Sequence, residues 1–277
     1  MKTFIVLLFT LFSIQATIGQ NNEPLESTRY GGFGLRLGFN RIHVLDRNNS
    51  ALLYQGNVPT LSLNYQHVNS GNRWLGELTL GRGSYFSRDF PDRVIQFRNK
   101  DVYGHVDSVS VPMRANNTLM KLSLGYLRDI DPAGPLRYQI GGQVSDALFY
   151  PQGFVQAGLM NVASVSPMAG MAFQPNDRQY LSLRITVPVF SLVSRSTYNN
   201  SVSQPIDNKL VGFFDQGSYW ASFSKHREIK IGAAFHFRMG NRWMSGLHYD
   251  FRILKNTYPK DLTITQSEVG LSMQMVR

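Results

Sequence analysis

The run Leu181-Ser182-Leu183-Arg184-Ile185-Thr186-Val187 puts Leu181, Leu183, Ile185 and Val187, continued by Val189, on one face and Ser182, Arg184 and Thr186 on the other. A period of two belongs to a β-strand with unlike faces, because successive side chains leave the pleat on opposite sides. The pattern recurs. Phe33, Leu35, Leu37 and Phe39 alternate with Gly34, Arg36, Gly38 and Asn40; Leu61, Leu63 and Tyr65 alternate with Ser62, Asn64 and Gln66. Trp74, Leu78 and Leu80 oppose Glu77, Thr79 and Gly81. Further strands are expected over residues 120–126, 136–145, 164–173, 229–238, 243–253 and 269–275, the third from last running into a short turn. The strand at 164–173 is blurred by Pro167 and by its Met and Ala residues.

Outward from these strands, the connections alternate in length. Residues 69–73, 129–135, 174–178 and 239–242 read as short turns; 46–57, 87–116, 146–163, 191–226 and 256–261 read as loops, mostly longer. Two of the short turns share one tetrapeptide, Gly71-Asn72-Arg73-Trp74 and Gly240-Asn241-Arg242-Trp243. In each, Trp74 or Trp243 opens the next apolar face, as an amphipathic ring does at the level of a membrane surface. The 87–116 loop is expected to hold its own hairpin, Val94-Ile95-Gln96-Phe97, a turn at Asn99-Lys100-Asp101 and a return through Val109 and Val111. In the 191–226 loop Asp215-Gln216-Gly217 is expected to turn a second hairpin among aromatic residues, above the membrane.

Composition bounds the class. Lys2, an apolar run over 4–14 and small or polar residues to Gly19 have the layout of a secretory signal peptide at 1–19. That run is about 11 residues, against the roughly 20 of a spanning helix. The chain has no Cys, so it has no disulfide framework, lipidated N-terminus or thiol chemistry. With 43% hydrophobic and 17% charged residues it is no helix-bundle membrane protein, although a β-barrel remains open. A net charge of +10 on an exported chain favours anionic lipid headgroups or acidic solutes over nucleic acid.

An even set of alternating strands, short turns on one side and longer loops on the other resembles the bacterial outer-membrane β-barrel superfamily over nearly all of 20–277. The resemblance rests on pattern and not on a motif. It implies an all-β, antiparallel up-and-down transmembrane barrel of about ten strands (range roughly 8–12), one domain at 20–277, apolar face outward. It also implies the bacterial outer membrane as location, with the bilayer, lipopolysaccharide and envelope or surface proteins as partners. Many such barrels close on an aromatic residue, whereas this chain ends Met275-Val276-Arg277. With the apolar face inward, the same strands would instead make a soluble exported β-sandwich or lipocalin-like binding protein. Glycines on the polar face, such as Gly34, Gly38, Gly81 and Gly125, favour a crowded lumen.

In that register Arg36, Lys121, Arg137, Arg184, Lys230, Arg238 and Arg252 point inward, against Glu77 and Asp250. Arg137 and Arg238 lie beside short turns. Arg36, Glu77, Lys121, Arg184, Lys230 and Asp250 form the expected lumen cluster, as a partly ion-paired plug or an anion-attracting passage. A barrel of this size is too narrow for a general porin and passes small solutes at most. Omptin proteases are rim-active ten-stranded barrels, and His248-Tyr249-Asp250 places a His and an Asp on one inward face; a lumenal hydrogen bond between them is the expectation. Ser224 and His226 give only a weak lipid-hydrolase signal. No cofactor is expected: the six His are dispersed without metal-ligand spacing, and there is no phosphate loop. Arg93, Arg98, Tyr219 and Trp220 are the loop recognition candidates. The expected function is non-enzymatic: surface recognition, envelope organisation or restricted small-solute passage. A rim-active hydrolase, protease or lipid-modifying, is the alternative.

Overall fold

A computed structural model describes residues 30–100, 106–130, 134–153, 157–176, 178–195, 213–215, 217–240 and 242–276. The expected leader at 1–19 lies outside the described residues, as does most of the polar part of the 191–226 loop. The strands are β1 (Tyr30–Asp46), β2 (Leu53–Asn69), β3 (Asn72–Ser87), β4 (Val94–Lys100), β5 (Val106–Pro112), β6 (Arg114–Asp129) and β7 (Leu136–Gly153). They continue as β8 (Met160–Asn176), β9 (Gln179–Thr186), β10 (Phe190–Arg195), β11 (Ser218–Ala221), β12 (His226–Met239), β13 (Trp243–Asn256) and β14 (Leu262–Met275). Among the described residues β1, β2, β3, β6, β7, β8, β9, β12, β13 and β14 make an antiparallel wall of ten strands. The wall closes where β14 pairs back on β1, from Gly34↔Gln274 to Asp46↔Leu262. Closure pairs the wall strands all round over the lower part of the barrel, the condition for crossing a bilayer with strands; above Lys230↔Thr186 the β12 side is open.

The first short turn shows why its sequence was chosen. Asn69 pairs with Asn72, and between them Ser70 (φ 49°) and Gly71 (φ 81°) both take positive φ. Such a two-residue turn matches the right-handed twist of the strands it joins.

The chemistry of the two wall faces swaps partway up most of the long strands, while the period of two does not slip; β12 is an exception, with His226 and Glu228 inward at its top. In β1, Phe33, Leu35, Leu37 and Phe39 face out and Arg36 and Asn40 face in; past Asn40, Ile42 and Val44 face in and Arg41 and His43 face out. In β2 the outward set is Leu61, Leu63 and Tyr65, and above them Val58 and Tyr54 are inward. In β14, Val269, Leu271 and Met273 are outward, then Thr265 and Thr263, with Ile264 and Leu262 buried inside. Phe39 is the register partner of both Pro59 and Val269, so the swap runs as one line around this part of the wall. The physical reason is a change of solvent. Below the line hydrocarbon lies outside and water inside; above it water lies outside, and the barrel needs an apolar core.

Strands of 14–18 residues accordingly exceed the roughly 9–11 that cross a bilayer. This corrects the expected loop lengths: β2 starts at Leu53, and the 146–163 segment is mostly β7 running to Gly153 and β8 starting at Met160. An apolar-outward trace stops at the membrane boundary, although the strand does not.

The expected 94–111 hairpin is present as β4 and β5, a separate two-stranded sheet. The hairpin expected around Asp215 is not formed among the described residues. Phe213, Phe214 and Asp215 take a helical turn, and β11 pairs with β10 (Ser191↔Ala221). The cause is a break at Val187-Pro188-Val189, where Pro188 has no N–H to offer. β12 stays with β9 up to Lys230↔Thr186, while β10 continues along β8 and takes β11 on its free side.

Candidate functional site in the barrel lumen

The lumen has two layers. On the long-loop side a buried apolar cluster including Ile42, Tyr85, Phe149, Val193, Leu254 and Ile264 packs the interior from several strands. Val193 and Ala221, from β10 and β11, complete it at the interrupted seam of the wall.

Below lies a charged layer. Arg36 reaches Glu77 at 3.0 Å, Asp250 at 3.1 Å and Glu268 at 3.5 Å. Lys121 adds a second cation to Glu77 at 3.0 Å, and the Thr79 hydroxyl donates to it at 2.9 Å. A second group rises from this layer to the level of Leu254, its register partner, and centres on Glu228, with Arg252 at 2.6 Å, Lys230 at 3.0 Å and His226 at 3.2 Å. Gly232 makes the space for Asp250, since a Cβ there would stand 2.8 Å from its Oδ1. Pairing offsets the desolvation of these buried charges, which costs several kcal/mol per ion.

Of the six residues expected to cluster, Arg36, Glu77, Lys121 and Asp250 meet in the first group and Lys230 joins the second. Arg184 joins neither. Glu228 and Glu268 were missed in the sequence because each stands at the upper end of an apolar-outward run. The signal that finds them is parity, continued past the last outward apolar residue.

His248 and Asp250 do not form the expected hydrogen bond. Asp250 is held by Arg36, and His248 Nε2 lies 2.6 Å from Ser272 Oγ, its ring edge-on to His236 at 5.0 Å. His226 is buried beside Glu228 and Ser224 is exposed in the turn above, so those two do not pair.

At the short-turn rim Trp74 and Trp243 face out, and Trp74 packs on Tyr126 with ring centroids 4.9 Å apart. Inside that rim Asp129 accepts from Gln139 at 2.6 Å and lies 3.6 Å from Arg137 and 3.9 Å from Arg73. Arg73 also donates to the Tyr180 hydroxyl and sits over its ring, 4.8 Å from the centroid.

At the other mouth Arg93 and Arg98 are exposed on the β4–β5 hairpin. Tyr219 is instead tied down, donating to Asn256 Oδ1 at 2.8 Å and the Tyr258 carbonyl at 2.9 Å. Trp220 is exposed and stacks on Phe190 at 4.7 Å, so it belongs to the outer wall and not to a free loop. Arg195 is buried there; burial lowers the basicity of its guanidinium, and the adjacent Asp46 carboxylate opposes that.

No protein-family model matches the chain, and no curated protein matches it. Among solved structures it is similar to the outer-membrane protease OmpT from Escherichia coli, at 6% identity over 93% of this chain and 98% of that one, TM-score 0.44. It is similar to an outer-membrane channel from Pseudomonas putida F1, at 6% identity over 94% and 100%, TM-score 0.44. The beta domain of the Bordetella autotransporter BrkA gives 12% identity over 88% and 98%, TM-score 0.40. Likenesses this loose say nothing about role. The fold assignment stands on the wall itself: closed, antiparallel, even in strand number, apolar outside over one band, with short turns at one end. That is the architecture of bacterial outer-membrane β-barrels.

Proposed function

We propose that this protein sits in the bacterial outer membrane as a sealed barrel, short turns in the periplasm, and acts by recognition at the cell surface. The observation that carries the reading is the apolar layer. Ile42, Leu254 and Ile264 on β1, β13 and β14 are buried in one cluster with Phe149, Met160 and Val162 on β7 and β8, so a solute would have to part a packed core to pass. Each such side chain contributes about 1.5–3 kcal/mol by its burial.

Recognition is supported by the β4–β5 hairpin. Val94, Phe97, Val106 and Val109 are all exposed on it, beside Arg93 and Arg98. A lone two-stranded hairpin is marginal in water, and apolar side chains flanked by Arg are the composition of a contact surface. Hydrolysis is disfavoured because His248 is bonded to Ser272 while the nearby carboxylate of Asp250 is spent on Arg36.

Planar-bilayer recording on the refolded protein tests the reading. The expected record is free of steady conductance; regular ohmic steps would overturn the seal.

A further inference from the structure

The lower half of the lumen contains a cavity of about 200 Å³ that the ion pairs do not fill. Its lining runs from the underside of the apolar layer, at Leu119 and Ala147, past Asn40 and Gln266 to Arg73, Tyr180 and Gln274 close to the short-turn end.

Arg184 faces this cavity from β9 and, among the described residues, its guanidinium takes part in no ion pair or hydrogen bond. Its register partners on both neighbouring strands are glycines, Gly170 and Gly232. Neither position directly opposite it carries a side chain that could cover the guanidinium. Across Gly232 stands Asp250, but that carboxylate is engaged by Arg36 at 3.1 Å and forms no ion pair with Arg184. Between Arg184 and the short turns the only inward carboxylate among the described residues is Asp129, already shared by Arg137 at 3.6 Å and Arg73 at 3.9 Å. The lower lumen thus holds more positive charge than its own acids neutralise. A concave site of one sign draws counter-charge into it, and the planar fork of Arg matches two oxygens of one oxyanion better than a spherical ion.

We infer that this cavity is an oxyanion site, open to the short-turn end, which takes a small solute by its carboxylate or phosphate group on Arg184. A volume of about 200 Å³ limits the occupant to a small solute. This site lies at the opposite end of the barrel from the recognition hairpin and does not depend on it.

Isothermal titration of the folded protein in detergent at low ionic strength tests the assignment, with inorganic phosphate and succinate as separate probes. Saturable binding of at least one is expected, and which one binds tells phosphate from carboxylate as the occupant. Arg184→Gln should weaken that binding about tenfold, the scale of one lost charge-assisted contact. Arg184→Lys, which keeps the charge without the fork, should fall between, and Arg227→Gln on the outer surface should bind as the parent does. Heat-modifiable gel mobility confirms that each variant is folded. Absence of saturable heat with both probes overturns the inference, as does undiminished binding in Arg184→Gln.

Discussion

Arg195 and Asp46, 149 residues apart in the chain, meet at 3.0 Å with both side chains buried at the long-loop mouth. Arg195 also donates to Asn256 Oδ1 at 2.9 Å and to the carbonyls of Tyr258 and Lys260, each at 2.8 Å. Asp46 in turn accepts the Gly158 N–H at 2.9 Å. One ion pair therefore ties β1, β10, the β7–β8 loop and the β13–β14 loop above the apolar layer.

Removing one partner leaves the other charge buried and unpaired. Arg195→Met is expected to destabilise the barrel by about 3–5 kcal/mol in denaturant unfolding. The double variant with Asp46→Asn should lose clearly less than the two single losses added together, since it removes the stranded charge. Strict additivity would mean that the pair does not act as a unit.

The swap of face chemistry along β14 gives a paired test. Leu271→Arg puts a charge on the outward band and should cost about 2–4 kcal/mol, depending on depth. Thr263→Arg, on the same outward face above the line, should stay within about 0.5 kcal/mol. Equal costs, read from unfolding in lipid vesicles, would remove the boundary from between them.

Leu254 is fully buried in the seal. Leu254→Ala should destabilise by about 2–5 kcal/mol through the void it leaves. The same truncation at outward Leu247, which is exposed on the wall, removes no packed core and should cost much less. Comparable losses would argue against a packed interior at this level.

Tyr85 and Tyr219 lie above the boundary, and burial raises both phenol pKa values above the ordinary range, Tyr85 the more. The fold prefers their neutral form, so their contribution is intact below the ordinary tyrosine range near pH ~10 and is lost as pH rises from there through the raised values. Spectrophotometric titration should show a late phenolate fraction in the folded protein. Tyr85→Phe should reduce that fraction; an unchanged late fraction would contradict the assignment.

The wall was legible in the sequence because a half-exposed strand must alternate, and Leu181 to Thr186 and Phe33 to Asn40 do so without a fault. Strand ends were not legible in the same way. At Ile42 and Val44 the apolar residues keep appearing but on the other parity, which reads as a loop when only the outward band is traced. Glu228 and Glu268 were lost for that reason, and with them the balance of the lumen charges. The break at Pro188 was visible as a residue but not as a consequence, because the end of β12 pairing at Lys230 and the pairing of β10 with β11 depend on partners distant in the chain. Arg184 was named from parity alone; that it stands between two glycines required the register of three strands.

In a membrane-spanning barrel of this kind hydrocarbon meets the wall only below the swap line. The chain has no Cys, so single cysteines placed in turn at Thr263, Thr265, Ser267, Val269, Leu271 and Met273 can carry a fluorescent or spin label without background. In proteoliposomes the labels at Val269, Leu271 and Met273 should be quenched by lipid-borne quencher and shielded from a water-soluble one, and those at Thr263, Thr265 and Ser267 should behave in the reverse way. Uniform access of the water-soluble quencher to all six would contradict a membrane-spanning barrel.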